Sequence, residues 1–137
     1  MPTAVAPVSR VAVHTEAAPA AIGPYSQGVV VTGGRTLYAS GQIPLDPVTM
    51  QLVGADDIAV QTTRVMDNLS AVLTAAGMGF DNVIRATIYL VDLADFATVN
   101  EIYGGRFEAH LPARACVQVA ALPKGARVEI DVVAVAD

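Results

Sequence analysis

The chain has 137 residues, of which 53% are hydrophobic and only 15% charged, and its formal net charge is −5. This length suits a single domain, and an acidic chain without a run of lysine or arginine is a poor partner for nucleic acid. One cysteine excludes an internal disulfide, and the lack of a secretory signal or of ~18 consecutive apolar residues favours a cytoplasmic protein outside the membrane.

The chain begins with a segment that has little pattern. Residues 1–9 contain two prolines, so we predict a flexible extension before one domain at residues 10–137. Residues 10–14 can form a first short strand. Residues 17–26, with two prolines and one glycine, favour an ordered loop.

A glycine pair predicts the first reversal of the chain. Thr32-Gly33-Gly34-Arg35 separates two β-rich segments, residues 27–31 and 36–40, which is the pattern of a β-hairpin. Residues 41–54 carry two prolines and two glycines, and we expect a loop there.

Two helices are predicted from apolar residues at helical spacing. Asp56 or Asp57 can cap the first helix, which runs to about residue 76, and Gly77 is well placed to end it. A strand is predicted at residues 83–91. Asp95 can cap the second helix, whose apolar stripe comprises Phe96, Val99, Ile102, Tyr103 and Phe107.

The last two β-segments carry the candidate chemistry. Side chains two apart on a strand share a face, which groups Arg114 with Cys116 and Gln118 in one segment. Glu129 shares a face with Arg127 and Asp131 in the next segment. A hairpin closing near Lys124 would place Glu129 opposite Arg114 or Cys116. Arginine grips carboxylates and glutamate can activate water, so this arrangement predicts hydrolysis of a small carboxylate-bearing molecule.

The same pattern has plainer explanations. An Arg–Glu pair across a hairpin is commonly a solvated ion pair worth under about 1 kcal/mol. A lone cysteine such as Cys116 is commonly a small buried hydrophobic residue. From spacing alone, the site and these alternatives remain open.

The predicted order of elements is β-β-β-α-β-α-β-β, which favours an α+β fold. We expect a mixed, mostly antiparallel sheet with both helices on one face. A neighbouring subunit on the other face would account for the low charge, because ordinary soluble domains carry about 25% charged residues. An alanine- and valine-rich proteome would explain the composition equally well.

Other polar residues are weaker candidates. His14 and His110 lack acidic or cysteine partners at ligand spacing, so a metal site is not expected. Tyr25, Ser40 and Gly41 lie in polar loops that could form a pocket wall or simply shape the loops. Asn100 lies outside the stripe of the second helix, where its amide is either solvated or ties down a site loop.

Several of these segments resemble the reactive intermediate deaminase family, RidA, also called YjgF or L-PSP. The similar segments are Ala-Pro-Ala-Ala-Ile-Gly-Pro-Tyr-Ser-Gln-Gly (18–28), Ser-Gly-Gln-Ile-Pro (40–44), Asp-Leu-Ala-Asp-Phe-Ala-Thr-Val-Asn (92–100), Pro-Ala-Arg-Ala-Cys-Val-Gln-Val (112–119), Leu-Pro (122–123) and Val-Glu-Ile (128–130). The resemblance covers nearly everything from Val11 to the C-terminus, with the motifs in the right order.

The resemblance implies a chorismate-mutase-like α+β subunit in a homotrimer with ligand clefts between subunits. It implies hydrolysis of 2-imino acids, such as 2-iminobutanoate and 2-iminopropanoate, to 2-keto acids and ammonia without metal or organic cofactor. Arg114 would clamp the substrate carboxylate and Glu129 would position the attacking water. The pocket would also include Cys116, Tyr25, Ser40, Gly41 and Asn100, some of them from the adjacent subunit.

One position departs from the family pattern, because Ala115 stands where close relatives commonly have serine. Alternation points its side chain away from Arg114, so we expect little effect on the chemistry. Three other functions remain open. These are a non-catalytic 2-keto acid binder or regulator, an aminoacrylate deaminase of pyrimidine breakdown, and a ribonuclease, which the acidic charge disfavours.

Overall fold

The computed structural model describes residues 6–137. Its elements follow the predicted order. The strands are β1 (Ser9–Val13), β2 (Gly28–Thr32), β3 (Arg35–Tyr38), β4 (Val83–Leu90), β5 (Ala113–Gln118) and β6 (Val128–Ala136), and the helices are α1 (Ile58–Ala75) and α2 (Phe96–Gly104). Within this part of the chain, neither helix has the length and apolarity needed to cross a bilayer.

The strands form two sheets. β1 and β2 make an antiparallel pair, and the other four strands are ordered β3-β6-β4-β5. β4 is parallel to β5, while β6 is antiparallel to both β3 and β4. The larger sheet is therefore mixed and mostly antiparallel, as the sequence predicts.

Both predicted hairpins are wrong. Gly33 and Gly34 do turn the chain, with φ of 72° and 78°, but β2 pairs with β1 and β3 pairs with β6. β5 and β6 are separated by β4, which pairs with both. A glycine turn determines where the chain changes direction. Which strands then pair is determined by the burial of their apolar faces.

The core lies between the four-stranded sheet and the helices. Alternate residues of the two central strands are buried, among them Ala86, Ile88 and Leu90 of β4 and Val128, Ile130 and Val132 of β6. They form one hydrophobic cluster with Val65, Met66, Leu69 and Leu73 of α1 and Val99 and Tyr103 of α2. Both helices thus pack on one face of the sheet, which confirms the predicted layer.

The ends of α1 are set by local chemistry. The side chain of Asp57 caps the helix by accepting a hydrogen bond from the Val60 N–H at 3.1 Å. Gly77 adopts the left-handed conformation after the last turn, with φ of 74°. The N–H of Met78 then reaches back to the Leu73 carbonyl at 2.8 Å, which satisfies a carbonyl at the helix end.

The predicted cap of α2 is wrong. Asp95 makes no side-chain capping bond; its carboxylate instead accepts hydrogen bonds from Arg127. Asp92 does the local capping one turn earlier, by accepting from the Ala94 N–H at 2.9 Å. A charge-assisted bond to arginine competes successfully with a bond to a backbone N–H.

The predicted extension at residues 1–9 overlaps the folded chain. Ser9 begins β1, the Ala6 carbonyl accepts from the Gly34 N–H at 2.9 Å, and the Val8 N–H donates to the Asp137 carboxylate at 2.6 Å. Residues 1–5 of that predicted extension lie outside the described residues.

Candidate functional site

Register through β4 determines which way the candidate side chains point. Cys116 and Ile130 both lie opposite Ile88, while Glu129 lies opposite Tyr89. Paired residues on neighbouring strands share a face of the sheet. Since Ile88 is buried under the helices, Cys116 faces the helices and Glu129 faces the other side.

The predicted shared face of Arg114 and Glu129 is therefore wrong. Arg114 lies opposite the buried Ala86 and, two residues from Cys116, points toward the helices. Within one chain the guanidinium and the carboxylate lie on opposite faces of the sheet. Both strands alternate as predicted. Because β4 lies between β5 and β6, however, Arg114 shares a face with Ala86 of β4, whereas Glu129 shares the opposite face with Tyr89.

Arg114 is held by an aromatic and amide shell. Its Nη1 donates to Asn100 Oδ1 at 2.6 Å. Its guanidinium carbon lies 5.3 Å from the ring centroid of Tyr25, 5.7 Å from that of Phe96 and 5.2 Å from that of Tyr103. Rings at such distances attract a cation through their faces. They fix the guanidinium without cancelling its charge.

Helix α2 supplies most of this shell. Phe96, Asn100 and Tyr103 are spaced four and three residues apart, so they lie on one side of the helix. Gly23 permits the close approach of the loop that carries Tyr25, because a Cβ at position 23 would lie 3.2 Å from Arg114 Nη2. Neither of the two ion pairs found within residues 6–137 includes Arg114.

The guanidinium of Arg114 lies in the wall of a cleft of about 280 Å³, here named the Arg114 cleft. Its walls are Ile22, Tyr25, Phe96, Arg114 and Cys116. This volume is at the lower end of the range of about 300–1,000 Å³ that is usual for small-molecule pockets. Ile22 is 94% exposed, so the cleft is open to water on that side. A small anion with a short apolar group matches this lining.

Burial raises two pKa values beside Arg114. The pKa of the Cys116 thiol is raised by desolvation, which outweighs the opposing charge of Arg114. The thiol is therefore protonated near neutral pH and a poor nucleophile. The pKa of Tyr103 is also raised, again mainly by burial. No group of residues 6–137 hydrogen-bonds its buried hydroxyl.

A second group of candidate residues, here named the Glu129 group, comprises Ser40, Gly41 and Glu129. The loop after β3 lies along β6, where Gln42 and Ile130 exchange backbone hydrogen bonds of 2.9 and 3.1 Å. A side chain at position 41 would collide with the Glu129 carboxylate. Glycine at this position is what lets the loop backbone approach that carboxylate. Ser40, next to it, is exposed.

Glu129 shares its sheet face with other polar groups. The Tyr89 hydroxyl donates to Asp131 Oδ2 at 3.1 Å. The pKa of Tyr89 is raised, first by desolvation and then by the nearby charges of Asp131 and Glu129. This face also carries exposed apolar side chains, with Tyr38 at 78% and Val117 at 42% exposure. It is a half-polar, half-apolar surface without a covering helix in the described chain.

The structure thus divides the predicted site residues into two sets. Arg114, Cys116, Tyr25 and Asn100 come together on the helix side, and the Glu129 group lies on the other side. Phe96, Tyr103 and Ile22 were not predicted to surround Arg114. The available signal was the placement of Phe96 and Tyr103 four residues before and three after Asn100, which we assigned only to the core stripe.

Within residues 6–137, no three His, Cys, Asp or Glu side chains lie close enough together to hold a metal ion. The two sets carry a cation at Arg114, a carboxylate at Glu129, a thiol at Cys116, hydroxyl groups at Ser40 and Tyr25, and an amide at Asn100.

Known proteins resemble this chain over most of its length. A sequence model of the family described as Endoribonuclease L-PSP matches residues 15–136. Protein DfrA of Myxococcus xanthus is 57% identical over 128 residues, which are 93% of this chain and 97% of that protein. The 2-iminobutanoate/2-iminopropanoate deaminase of Rattus norvegicus is 51% identical over 128 residues, covering 93% and 91% of the two chains.

Solved structures agree with the sequence comparison. The crystal structure of E. coli TdcF with bound serine has a TM-score of 0.70 and 41% identity, with 93% of this chain and 99% of that chain covered. The α+β, chorismate-mutase-like fold implied by the sequence is confirmed. The chain therefore belongs to the Endoribonuclease L-PSP family, the RidA family that its motifs indicate.

Proposed function

We propose that this chain hydrolyses 2-imino acids, and the enamines in equilibrium with them, to 2-keto acids and ammonia. The observation that carries the proposal is the Arg114 guanidinium, which opens into a small cleft and takes part in neither ion pair found among the described residues. A relative named as a 2-iminobutanoate/2-iminopropanoate deaminase, 51% identical over 93% of this chain, supports the same substrate class.

Arg114 is the proposed carboxylate clamp. Asn100 occupies one N–H of Nη1 and the aromatic rings hold the guanidinium plane. The remaining N–H groups can donate two hydrogen bonds to a carboxylate, the geometry that favours arginine over lysine. Cys116 and Tyr25 would then contact the rest of the substrate from the walls of the cleft.

Glu129 is the proposed proton carrier. Water adds to the electrophilic imine carbon and gives a proton to Glu129, and the carboxylic acid returns a proton to the nitrogen. Glu129 then takes the hydroxyl proton of the carbinolamine and delivers it to the amino group, so that the C–N bond breaks, ammonia leaves and the keto group remains. Orientation of water and imine supplies most of the acceleration, so the step needs no covalent intermediate, metal or organic cofactor.

The two sets of residues can meet only between copies of the chain. Within one chain Arg114 and Glu129 lie on opposite faces of the sheet. We therefore propose a homotrimer in which the Arg114 cleft of one subunit receives the Glu129 group of a neighbour. The exposed Tyr38 and Val117 on the face that carries Glu129 support such packing, as does the low charge of 15%.

The activity is tested with imines generated in place by an amino-acid oxidase or a threonine dehydratase. Keto acid should form faster with the protein than in buffer, and equal rates would contradict the proposal. The same assay with 3-aminoacrylate, whose nitrogen is on C3 instead of C2, distinguishes an aminoacrylate deaminase of pyrimidine breakdown. We propose a cytoplasmic location, where such dehydratases release their products.

The shared site is tested by co-expressing Arg114→Ala and Glu129→Gln subunits. Each variant alone should be inactive. The co-expressed population, assembled at random in equal amounts, should recover about one quarter of wild-type turnover, the chance that a cleft draws both its arginine and its glutamate from intact subunits. No recovery in mixed trimers would show that each site is built from one chain.

A non-catalytic 2-keto acid binder or regulator is the second candidate. The Arg114 cleft of a single chain can bind a carboxylate without the Glu129 group, and the name of the 57% identical DfrA states no deaminase activity. Saturable binding of 2-oxobutanoate with no turnover of any imine would favour this function.

A further inference from the structure

Arg127 joins three elements next to the proposed site. Its Nη2 donates to both carboxylate oxygens of Asp95, each at 2.8 Å. Its Nη1 donates to the Asp56 carbonyl at 3.1 Å, and its backbone N–H donates to Gln61 Oε1 at 2.9 Å. Because Gln61 is fully buried, the backbone of Arg127 is anchored to α1.

Each partner of this ion pair adjoins a site residue. Asp95 directly precedes α2, whose residues Phe96, Asn100 and Tyr103 surround Arg114. Arg127 directly precedes β6, where Glu129 lies two residues further on. The pair therefore connects the helix behind Arg114 to the strand that carries Glu129.

The ion pair is shielded enough to hold these elements. The side chain of Asp95 is 13% exposed and that of Arg127 is 33% exposed. A partly buried carboxylate that accepts two hydrogen bonds from an arginine holds a firmer geometry than a solvated pair. A small shift of α2 would move together the three residues that this helix places against Arg114.

We infer that Asp95 and Arg127 are positioning residues, whose ion pair sets the placement of α2 and thereby the orientation of the Arg114 guanidinium. The inference rests on the proposed function for its kinetic readout. Arg127 and Asp95 line neither the Arg114 cleft nor the Glu129 group, so they act through other residues.

The chain offers a matched control at the other end of α2. Arg106 follows that helix and pairs with Asp67 of α1 at 2.6 Å, with side-chain exposures of 29% and 46%. This pair also ties α2 to the body of the protein. Arg106 reaches the residues around Arg114 only through its backbone N–H, which donates to the Tyr103 carbonyl at 3.1 Å and is kept when Asp67 is replaced. Asp67→Asn therefore removes an ion pair on α2 without loosening the segment beside Phe96.

The kinetic test compares Asp95→Asn with Asp67→Asn in the 137-residue protein, in whatever assembly the wild type adopts. For Asp95→Asn we expect the KM for the imine and the Kd for 2-oxobutanoate to rise about tenfold, with a smaller change in kcat, because a misplaced clamp weakens carboxylate binding. Arg127→Lys keeps the charge and should show an intermediate loss. Asp67→Asn should stay within about twofold of wild type in both constants.

A second readout does not depend on turnover. In NMR spectra, the side-chain Nε–H signal of Arg114 should be displaced by the rings of Tyr25, Phe96 and Tyr103. In Asp95→Asn the signal should move toward that of a free arginine, and in Asp67→Asn it should not. Circular dichroism checks that each variant is folded.

The outcomes separate the two proposals. If wild type neither turns over imines nor binds 2-oxobutanoate, the proposed function fails, while the Arg114 signal still tests the positioning role. If Asp95→Asn leaves KM, Kd and that signal unchanged and only lowers thermal stability, the pair is merely structural and the inference is wrong.

Discussion

The Arg114 cleft and the Glu129 group differ in how complete they are within one chain. The cleft has aromatic walls from the loop at Tyr25 and from α2, and its guanidinium is held by Asn100 at 2.6 Å. The Glu129 group lies on one strand and one loop, and no aromatic wall encloses it within the described chain. Its Ser40 is exposed, and Tyr38 on the same sheet face is 78% exposed.

In the proposed function, this difference separates binding from chemistry. The cleft would recognise a carboxylate before any other copy of the chain is present, because its shell is built by the loop at Tyr25, α2 and β5. The Glu129 group would act on that ligand only in the proposed assembly. Recognition would then be a property of the fold, and turnover a property of the assembly.

The largest expected effect comes from exchanging the two charged groups for neutral ones. Arg114→Ala should weaken 2-oxobutanoate binding and reduce kcat/KM about a hundredfold or more, because hydrogen bonds to a charged group contribute about 3 kcal/mol here. Glu129→Gln should reduce kcat about a hundredfold while binding stays close to wild type. Calorimetry and steady-state kinetics measure the two quantities separately.

If Arg114→Ala and Glu129→Gln weakened 2-oxobutanoate binding equally, binding and turnover could not be assigned to separate groups. Arg114→Lys serves as the control for charge, since it keeps the cation without the planar double contact. We expect it to recover only part of the lost binding.

A smaller effect is expected from Gly41→Ala. The added Cβ would collide with the Glu129 carboxylate, so the loop or the carboxylate must shift, and turnover should fall about tenfold with a destabilisation of about 1–3 kcal/mol. Binding of 2-oxobutanoate to the Arg114 cleft should change less than turnover.

Gly79→Ala is the matched control, because a Cβ there meets nothing within 4 Å. It should leave both turnover and chemical denaturation close to wild type. If Gly41→Ala also leaves turnover and chemical denaturation unchanged, the close approach of the loop to Glu129 contributes to neither activity nor stability.

The smallest effect concerns the buried hydroxyl behind Arg114. Tyr103→Phe keeps the ring under the guanidinium and removes a hydroxyl that no group of residues 6–137 hydrogen-bonds. The free energy of unfolding should stay equal or rise by up to about 1 kcal/mol, since no bond is lost and a polar group leaves the core. Urea denaturation measures this, and a clear destabilisation would mean that the hydroxyl has a partner.

Local sequence patterns were enough for the elements and for one part of the site. Apolar spacing, a cap at Asp56 or Asp57, and Gly77 predicted α1 and its ends, because caps and left-handed glycines act within a few residues; Asp57 is the cap in the structure. Alternation predicted that Arg114 and Cys116 share a face, since that depends only on the strand itself. Both are confirmed.

What the sequence by itself determined is therefore whatever is decided within a single helix or strand, together with the family that the ordered motifs indicate. Only the tertiary structure decided that β4 separates β5 from β6, so that Glu129 faces away from Arg114. It also decided that Asp95 binds Arg127 instead of capping α2. The physical reason is that pairing partners are selected by burial of distant apolar faces, which no local pattern encodes.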